Sequence, residues 1–458
     1  MKIRNLLLIP ATLVATLSSL TSCGVDRWPE YAAETELDQW ITTVMRDNYL
    51  WYTDIPEDKK LNFFKTPEDF LKSIVSKEDN DASYIDTIYQ QPLPSYGFDY
   101  NLYQAVNNDT AYNALITYVL PNSPASAAGL KRGDWIMEVN DEVITKKSEP
   151  KLLNTGLALK LTTGTYTYQT DPETEAQIGV VVKSGTAQIG AEQGVEDNPI
   201  HYHSVITTAN GIKVGYLVYS HFTAGTEANP QKYNEQLRTV SREFATAGIT
   251  ELILDLRYNK GGSLACAQLL CALVAPQSAL GTPLGNLTYN DKQVSKDRSL
   301  TFDSELIGSG SNLNISQGFI ISSNATSGVS GVMLNLLSPL KRWALVGSSV
   351  SCSGVATESF ADPTNTWSLN PVVCTVYNSL QESGRGGSFT ATKTISETNN
   401  LTKFLPFGNP DEMLLSTTIG LIEGTIKPTS STAQSTTQPV KEVIRTPARK
   451  SITGTTIR

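Results

Sequence analysis

Residues 251–262, Glu-Leu-Ile-Leu-Asp-Leu-Arg-Tyr-Asn-Lys-Gly-Gly, form the stretch of this chain best suited to chemistry. An apolar run enters a polar turn that closes on Gly261 and Gly262. Such a run is a buried strand, and paired glycines leave the turn's backbone amides able to point at a ligand. Other reactive side chains are sparse. His201-x-His203 places two imidazoles on one face of a strand, as a metal pair would need, but no third ligand stands near and a surface or packing role fits better. His221 follows an apolar strand, and no motif supports a Ser-His-Asp triad built on it. Cys266, Cys271, Cys352 and Cys374 lack zinc-ligand spacing and read as core residues, although an exported chain permits disulfides. No metal and no cofactor is implied.

The 251–262 strand and turn closely resemble those of the C-terminal-processing (tail-specific) serine peptidases, whose glycine loop supplies part of the oxyanion hole. In that family the nucleophile stands in a pattern like Thr-Ala-Ser-Ala-Ser-Glu, after a strand and at the start of a helix. The matching stretch here is 320–337. Thr326 and Ser330 fall on the family's threonine and second serine, Gly328 on the nucleophile and Gly331 on the glutamate. Gly261, Gly262 and Val329 then make up the oxyanion-type loop. The family's lysine base lies in a pattern like Ile-Gly-Glu-x-Thr-x-Gly-Lys, and the match at 346–353 puts Ser353 in the lysine slot. Residues 328 and 353 are 25 apart, the usual family spacing, so both members of the dyad are replaced.

A Ser-Lys dyad needs a hydroxyl against an amine kept neutral by desolvation. Glycine offers no nucleophile, and a serine hydroxyl is far too weak a base to stand in for the amine. Among neighbours, Ser327 and Ser330 are turned about 100° away around the helix axis per residue, and Cys352 faces the core of an extended segment. Lys260 is the basic group close to the site; a migrated Ser327–Lys260 pair is the available substitute, and a solvated loop lysine is the plainer reading.

The surrounding sequence supplies the elements that position this loop. The chain has 458 residues, 40% of them hydrophobic, and a net charge of −9 that argues against a nucleic-acid partner. Lys2 and Arg4 precede an apolar run and then Leu20-Thr-Ser-Cys23, which resembles a bacterial lipobox. Residues 1–23 thus read as a lipoprotein signal peptide with lipid attached to Cys23, implying a cell-envelope address on the periplasmic or outer-membrane side. Residues 24–81 read as tether and N-terminal helical domain: Leu37, Trp40, Ile41, Val44, Met45 and Tyr49 repeat at helical spacing, and Thr66-Pro-Glu-Asp starts a second helix. The block resembles the N-terminal segment of the Bacteroidetes lipoprotein branch of the family.

Residues 82–150 resemble a PDZ domain, most specifically from Tyr118 to Asn140, with Tyr96, Gly97 and Phe98 as the peptide-carboxylate loop. Residues 151–210 read as a polar connection with strand-like stretches such as Gly179-Val-Val-Val-Lys183, and 211–424 as the protease-like core of alternating strands and helices with right-handed crossovers. The fold class expected is therefore α/β (α+β mixed). The Ser/Thr/Pro-rich basic tail, 425–458, has a composition that cannot bury a core and reads as disordered. The function expected is a catalytically inactive envelope relative that binds peptides or protein C-termini. The alternative is an active serine endopeptidase with rearranged catalytic residues. The oligomeric state is not legible.

Overall fold

A computed structural model describes residues 28–88, 92–106, 108–172, 174–428, 442–446 and 452–457. The expected leader, residues 1–23 with Cys23, lies outside them. Ile41 and Met45 of helix α1 (Trp28–Asn48), and Tyr49 just after it, are buried against helix α2 (Pro67–Ile74). The Thr66 hydroxyl accepts from the Asp69 amide, with Pro67 at the first helical position.

The PDZ sheet runs through β1 (Phe98–Ala105), β2 (Asn108–Val119), β3 (Trp135–Val139), β4 (Leu159–Thr170) and β5 (Gln177–Ile189), with helices α3 (Pro124–Ala127) and α4 (Glu149–Leu153) alongside. Strand β3 pairs with β4, and β4 with β5 along its whole length. The boundary expected at residue 150 therefore falls inside α4, and residues 159–170 and 177–189 of the expected 151–210 connection belong to the PDZ sheet. These strands are polar on one side, which hides all but 179–183 from a search for apolar runs; the alternation Thr165-Tyr-Thr-Tyr168 is the further signal they carry.

The core sheet has the order β6 (Ile200–Thr207), β7 (Lys213–Tyr219), β8 (Glu251–Asp255), β12 (Gln317–Ser322), β13 (Trp343–Gly347) and β16 (Lys393–Thr394), parallel from β7 onward. Both faces are covered. Leu252 and Leu254 face the cluster formed by helices α5 (Lys232–Ala247), α6 (Leu264–Val274) and α7 (Val329–Leu337). Ile253 faces helix α8 (Met413–Ile422), with Leu414 and Leu415 against it. This is the α/β core expected from the alternating elements.

A second six-stranded sheet has the order β9 (Gly261–Ser263), β18 (Gly454–Thr456), β14 (Val355–Thr357), β15 (Val372–Asn378), β10 (Pro283–Tyr289) and β11 (Arg298–Thr301). Strand β17 (Glu442–Thr446) pairs antiparallel with β1 at the edge of the PDZ sheet. The expectation of a disordered tail is thus corrected for residues 442–446 and 454–456: a few β-prone residues suffice when neighbouring strands supply backbone partners, and no core of the tail's own is needed.

A buried ion cluster joins the PDZ domain to the core. Arg132, on the PDZ turn before β3, donates to Glu397 (2.9 Å), to the Tyr258 hydroxyl (2.5 Å) and to the Leu405 carbonyl (3.0 Å), with the Phe404 ring 3.7 Å from its guanidinium carbon. Arg257 bridges Asp255 (2.7 Å) and Glu412 (2.6 Å). Glu412 also caps α8 by accepting from the Leu414 and Leu415 amides. Burial alone would raise the Glu412 carboxyl, but Arg257 and then Arg132 outweigh it and hold the group at about 2, below its ordinary 4.5. A carboxyl depressed on folding contributes stability that is present above the unfolded value and is lost as pH falls toward the folded one. Urea midpoints are expected to drop as pH falls from about 4.5 toward 2. Removing the Glu412 charge takes one carboxylate from buried Arg257, which keeps Asp255 and Glu397, so Glu412→Gln is expected to cost about 2 kcal/mol at pH 7; a variant as stable as the parent there would contradict this role.

Candidate functional site

The turn after β8 is fastened from inside. The Asn259 side chain donates to the Tyr219 carbonyl (3.0 Å) and accepts from the Gly261 amide (3.1 Å). Gly261 and Gly262 take φ +143° and +129°, where a side chain would be strained. A Cβ on Gly262 would strike the Phe222 backbone, and one on Gly261 would strike Gly454. Phe222 hydrogen-bonds both sides of the pair, donating to the Gly261 carbonyl (3.0 Å) and accepting from the Ser263 amide (2.8 Å). The paired glycines are therefore required by close backbone approach on two sides.

The second wall is the turn from β12 into α7. Thr326 donates to the Leu256 carbonyl (2.8 Å), and the Ser327 amide to the Asn259 carbonyl (3.0 Å), so this turn is tied to the glycine turn. Gly328 caps α7 at φ +60°, ψ −132°, a sharp strand-to-helix elbow of the kind that exposes nucleophiles in hydrolases. Val329 and Ser330 follow it, both buried, and the Ser330 hydroxyl has no hydrogen-bond partner among the described residues.

The structure places the other sequence-derived positions as follows. Ser327 meets Lys260 through the backbone: its hydroxyl donates to the carbonyls of Lys260 (3.3 Å) and Ala325 (3.4 Å). Ser353, half-buried just before β14, directs its hydroxyl to the Val355 carbonyl (3.5 Å). Cys352 faces the core, and burial pushes its thiol up to about 11. Cys266, Cys271 and Cys374 are likewise buried, and all four thiols are unbridged. Tyr96 and Phe98 point into the PDZ core instead of lining a groove, and the Gly97 amide donates to Ser95 Oγ (2.9 Å). His203 pairs with Glu243 (3.0 Å), away from His201. Among the described residues no group of three or more His, Cys, Asp or Glu is arranged to hold a metal ion, and no helix is long and apolar enough to cross a membrane.

Two features escaped the sequence. Asp197 Oδ1 lies 3.4 Å from His221 Nε2 and 3.7 Å from His201 Nε2, and His221 Nδ1 lies 2.8 Å from Thr223 Oγ1. The pairing of β6 with β7 brings these residues together, and spacing alone gave no sign of it. The second feature is β18. It runs parallel to β9, with Gly454 opposite Gly261, Thr455 opposite Gly262 and Thr456 opposite Ser263. The short run Ile452-Thr-Gly-Thr-Thr-Ile457 was its available signal.

A PDZ domain set against a parallel core sheet, with a glycine-paired turn facing a strand-to-helix elbow, defines a peptidase-type architecture. The chain belongs to peptidase family S41. Its residues 36–84 match the Peptidase S41 N-terminal domain, 115–152 the PDZ domain and 213–358 Peptidase family S41. It is similar to a Bacteroides fragilis protein described as an S41 protease, at 44% identity and a TM-score of 0.80, covering 85% of this chain and 98% of that one. The photosystem II D1 C-terminal processing protease aligns at 13% identity and a TM-score of 0.45, over 81% of this chain and 95% of that one. Mature CPAF aligns at 10% identity and a TM-score of 0.43, over 87% and 99%. No curated protein matches significantly.

A Cβ at position 328 would collide with the Gly454 carbonyl oxygen and stand 2.5 Å from that of Lys260. Gly328→Ser is therefore expected to destabilise the chain by at least about 1–3 kcal/mol from the positive φ alone. It is also expected to raise amide exchange across Gly454–Thr456. An unchanged melting temperature with unchanged protection of that strand would contradict the geometry.

Proposed function

We propose that this S41 family member is an envelope lipoprotein, held by lipid at Cys23, that binds extended peptides or protein C-termini without cleaving them. The observation that carries the reading is Gly328: at the elbow the family pattern gives to the nucleophile stands a residue with no side chain, and a peptide backbone lies against it. Ser353, in the lysine slot, offers a hydroxyl that already points to a carbonyl. With neither nucleophile nor amine base, what is left of the reaction machinery is the glycine-paired turn and the strand-shaped slot beside it, which suit binding.

The second reading, a working peptidase with rearranged residues, has one specific observation behind it. Thr223, His221 and Asp197 stand in a row beside Phe222, next to the paired glycines: His221 Nδ1 hydrogen-bonds Thr223 Oγ1, and the Asp197 carboxylate lies 3.4 Å from the other ring nitrogen. Thr223 and His221 are two residues apart, which also makes a local turn contact sufficient to explain the pair.

Cleavage of casein and of C-terminally tagged peptides separates the two readings. No turnover and no labelling by a fluorophosphonate probe is expected. Turnover that disappears in Thr223→Ala would overturn the inert reading and assign the nucleophile. Binding of peptides with free C-termini, measured on an array, is expected to exceed binding of the same peptides amidated; equal binding would remove the terminal carboxylate from the reading.

A further inference from the structure

Two backbone edges in this molecule are suited to receive an extended peptide, and two strands close together near the end of the chain, β17 and β18, fill them. Strand β17 lies on β1, the strand that leaves the 95–98 loop. Its register runs from Glu442 opposite Tyr103 to Thr446 opposite Tyr100, so the segment advances toward that loop, antiparallel to the PDZ edge. Eight residue steps later, Gly454 enters the slot between β9 and β14. Eight steps span at most about 29 Å, so the PDZ edge and the glycine-paired slot are within reach of a single peptide.

Inside the slot the segment is held from both sides. The Gly454 amide donates to the Lys260 carbonyl (3.0 Å), the Ile457 amide to the Thr357 carbonyl (3.0 Å), and the Thr357 hydroxyl to the Thr455 carbonyl (3.2 Å). The carbonyl of Gly454 occupies the space that a side chain at 328 would take. The Gly454–Thr455 peptide bond thus stands where a nucleophile at the elbow would meet its substrate.

We infer that residues 442–446 and 452–457 act as a tethered ligand that fills the peptide track of this protein in cis, and that the track accepts extended peptides of the same pattern: glycine, then a small β-branched residue, then an aliphatic one two positions further on. The inference rests on the peptide-binding reading above. Each element of the pattern has a cause. Gly454 takes φ +72°, which favours glycine. Thr455 is buried to 3% exposure, leaving no room for a long or charged side chain. Ile457 joins the main hydrophobic cluster. A tether presents the segment to the slot at around millimolar effective concentration, so a free peptide at micromolar levels competes only by binding better.

The same slot supplies an opposed pair of variants. Thr455 Oγ1 is buried with no hydrogen-bond partner among the described residues. Valine keeps the shape and removes the orphan hydroxyl, so Thr455→Val tightens closure; Thr455→Lys opens it. The test uses the full chain and a fluorescein-labelled peptide of residues 442–457, followed by anisotropy. Relative to the parent, Thr455→Lys is expected to bind the probe about tenfold more tightly and Thr455→Val about tenfold more weakly. A probe with valine in place of Gly454 is expected not to bind. Equal affinity across the three chains overturns the inference, as does a probe indifferent to the glycine. If circular dichroism shows that Thr455→Lys misfolds, the parent and Thr455→Val carry the comparison. Should Thr455→Lys bind other peptides from an array but not this probe, the tethered ligand is refuted while peptide binding stands. Should it bind none, both are refuted.

Discussion

Backbone against backbone, with no side chains between, is the constraint on which this site depends. Gly261, Gly262, Gly328 and Gly454 meet where any Cβ at the first three would collide with a neighbouring main chain. That approach lets β18 lie between β9 and β14 and makes one continuous sheet from pieces far apart in sequence. A reactive hydroxyl at the elbow and a peptide seated as β18 is seated compete for the same space. Glycine at 328 resolves the competition in favour of the peptide.

The geometry around this contact is held by polar groups that are themselves fully used. Asn259 fixes the glycine turn, Thr326 fixes the elbow to it, and the Arg257–Glu412 pair anchors the end of β8 to the start of α8. Arg132 carries the same cluster into the PDZ domain, so the PDZ edge and the slot are set in a fixed relation. Charges this deeply buried are costly unless paired on every side, and pairing on every side permits one arrangement of the two domains. A peptide track running across both domains needs that rigidity.

How much of this could be read from the residues depended on what each element buries. Strand β8 and its turn were legible because a strand covered on both faces is an unbroken apolar run, and the following glycines mark the close approach. The PDZ core from Tyr118 to Asn140 was legible for its strand, short helix and Gly133-Asp134 turn. Strand β4 was not, and β5 showed only at residues 179–183, because much of their surface is polar and their register is set by partners. Strand β18 was the least legible: it is glycine and two threonines inside a polar tail, and what holds it comes from its neighbours, as hydrogen bonds and as the cluster that takes up Ile457. The Asp197–His201–His221 cluster was invisible for a related reason, since strand pairing and not sequence spacing assembles it.

The central claim is that a peptide can sit at the elbow without being cut. Native mass spectrometry tests it directly: the full-length Thr455→Lys chain is mixed with an excess of the peptide of residues 442–457 and sampled over hours. An intact peptide bound one to one, with the mass of the chain unchanged, is the result expected. Shortened peptide, or a covalent acyl adduct on the chain, would contradict it.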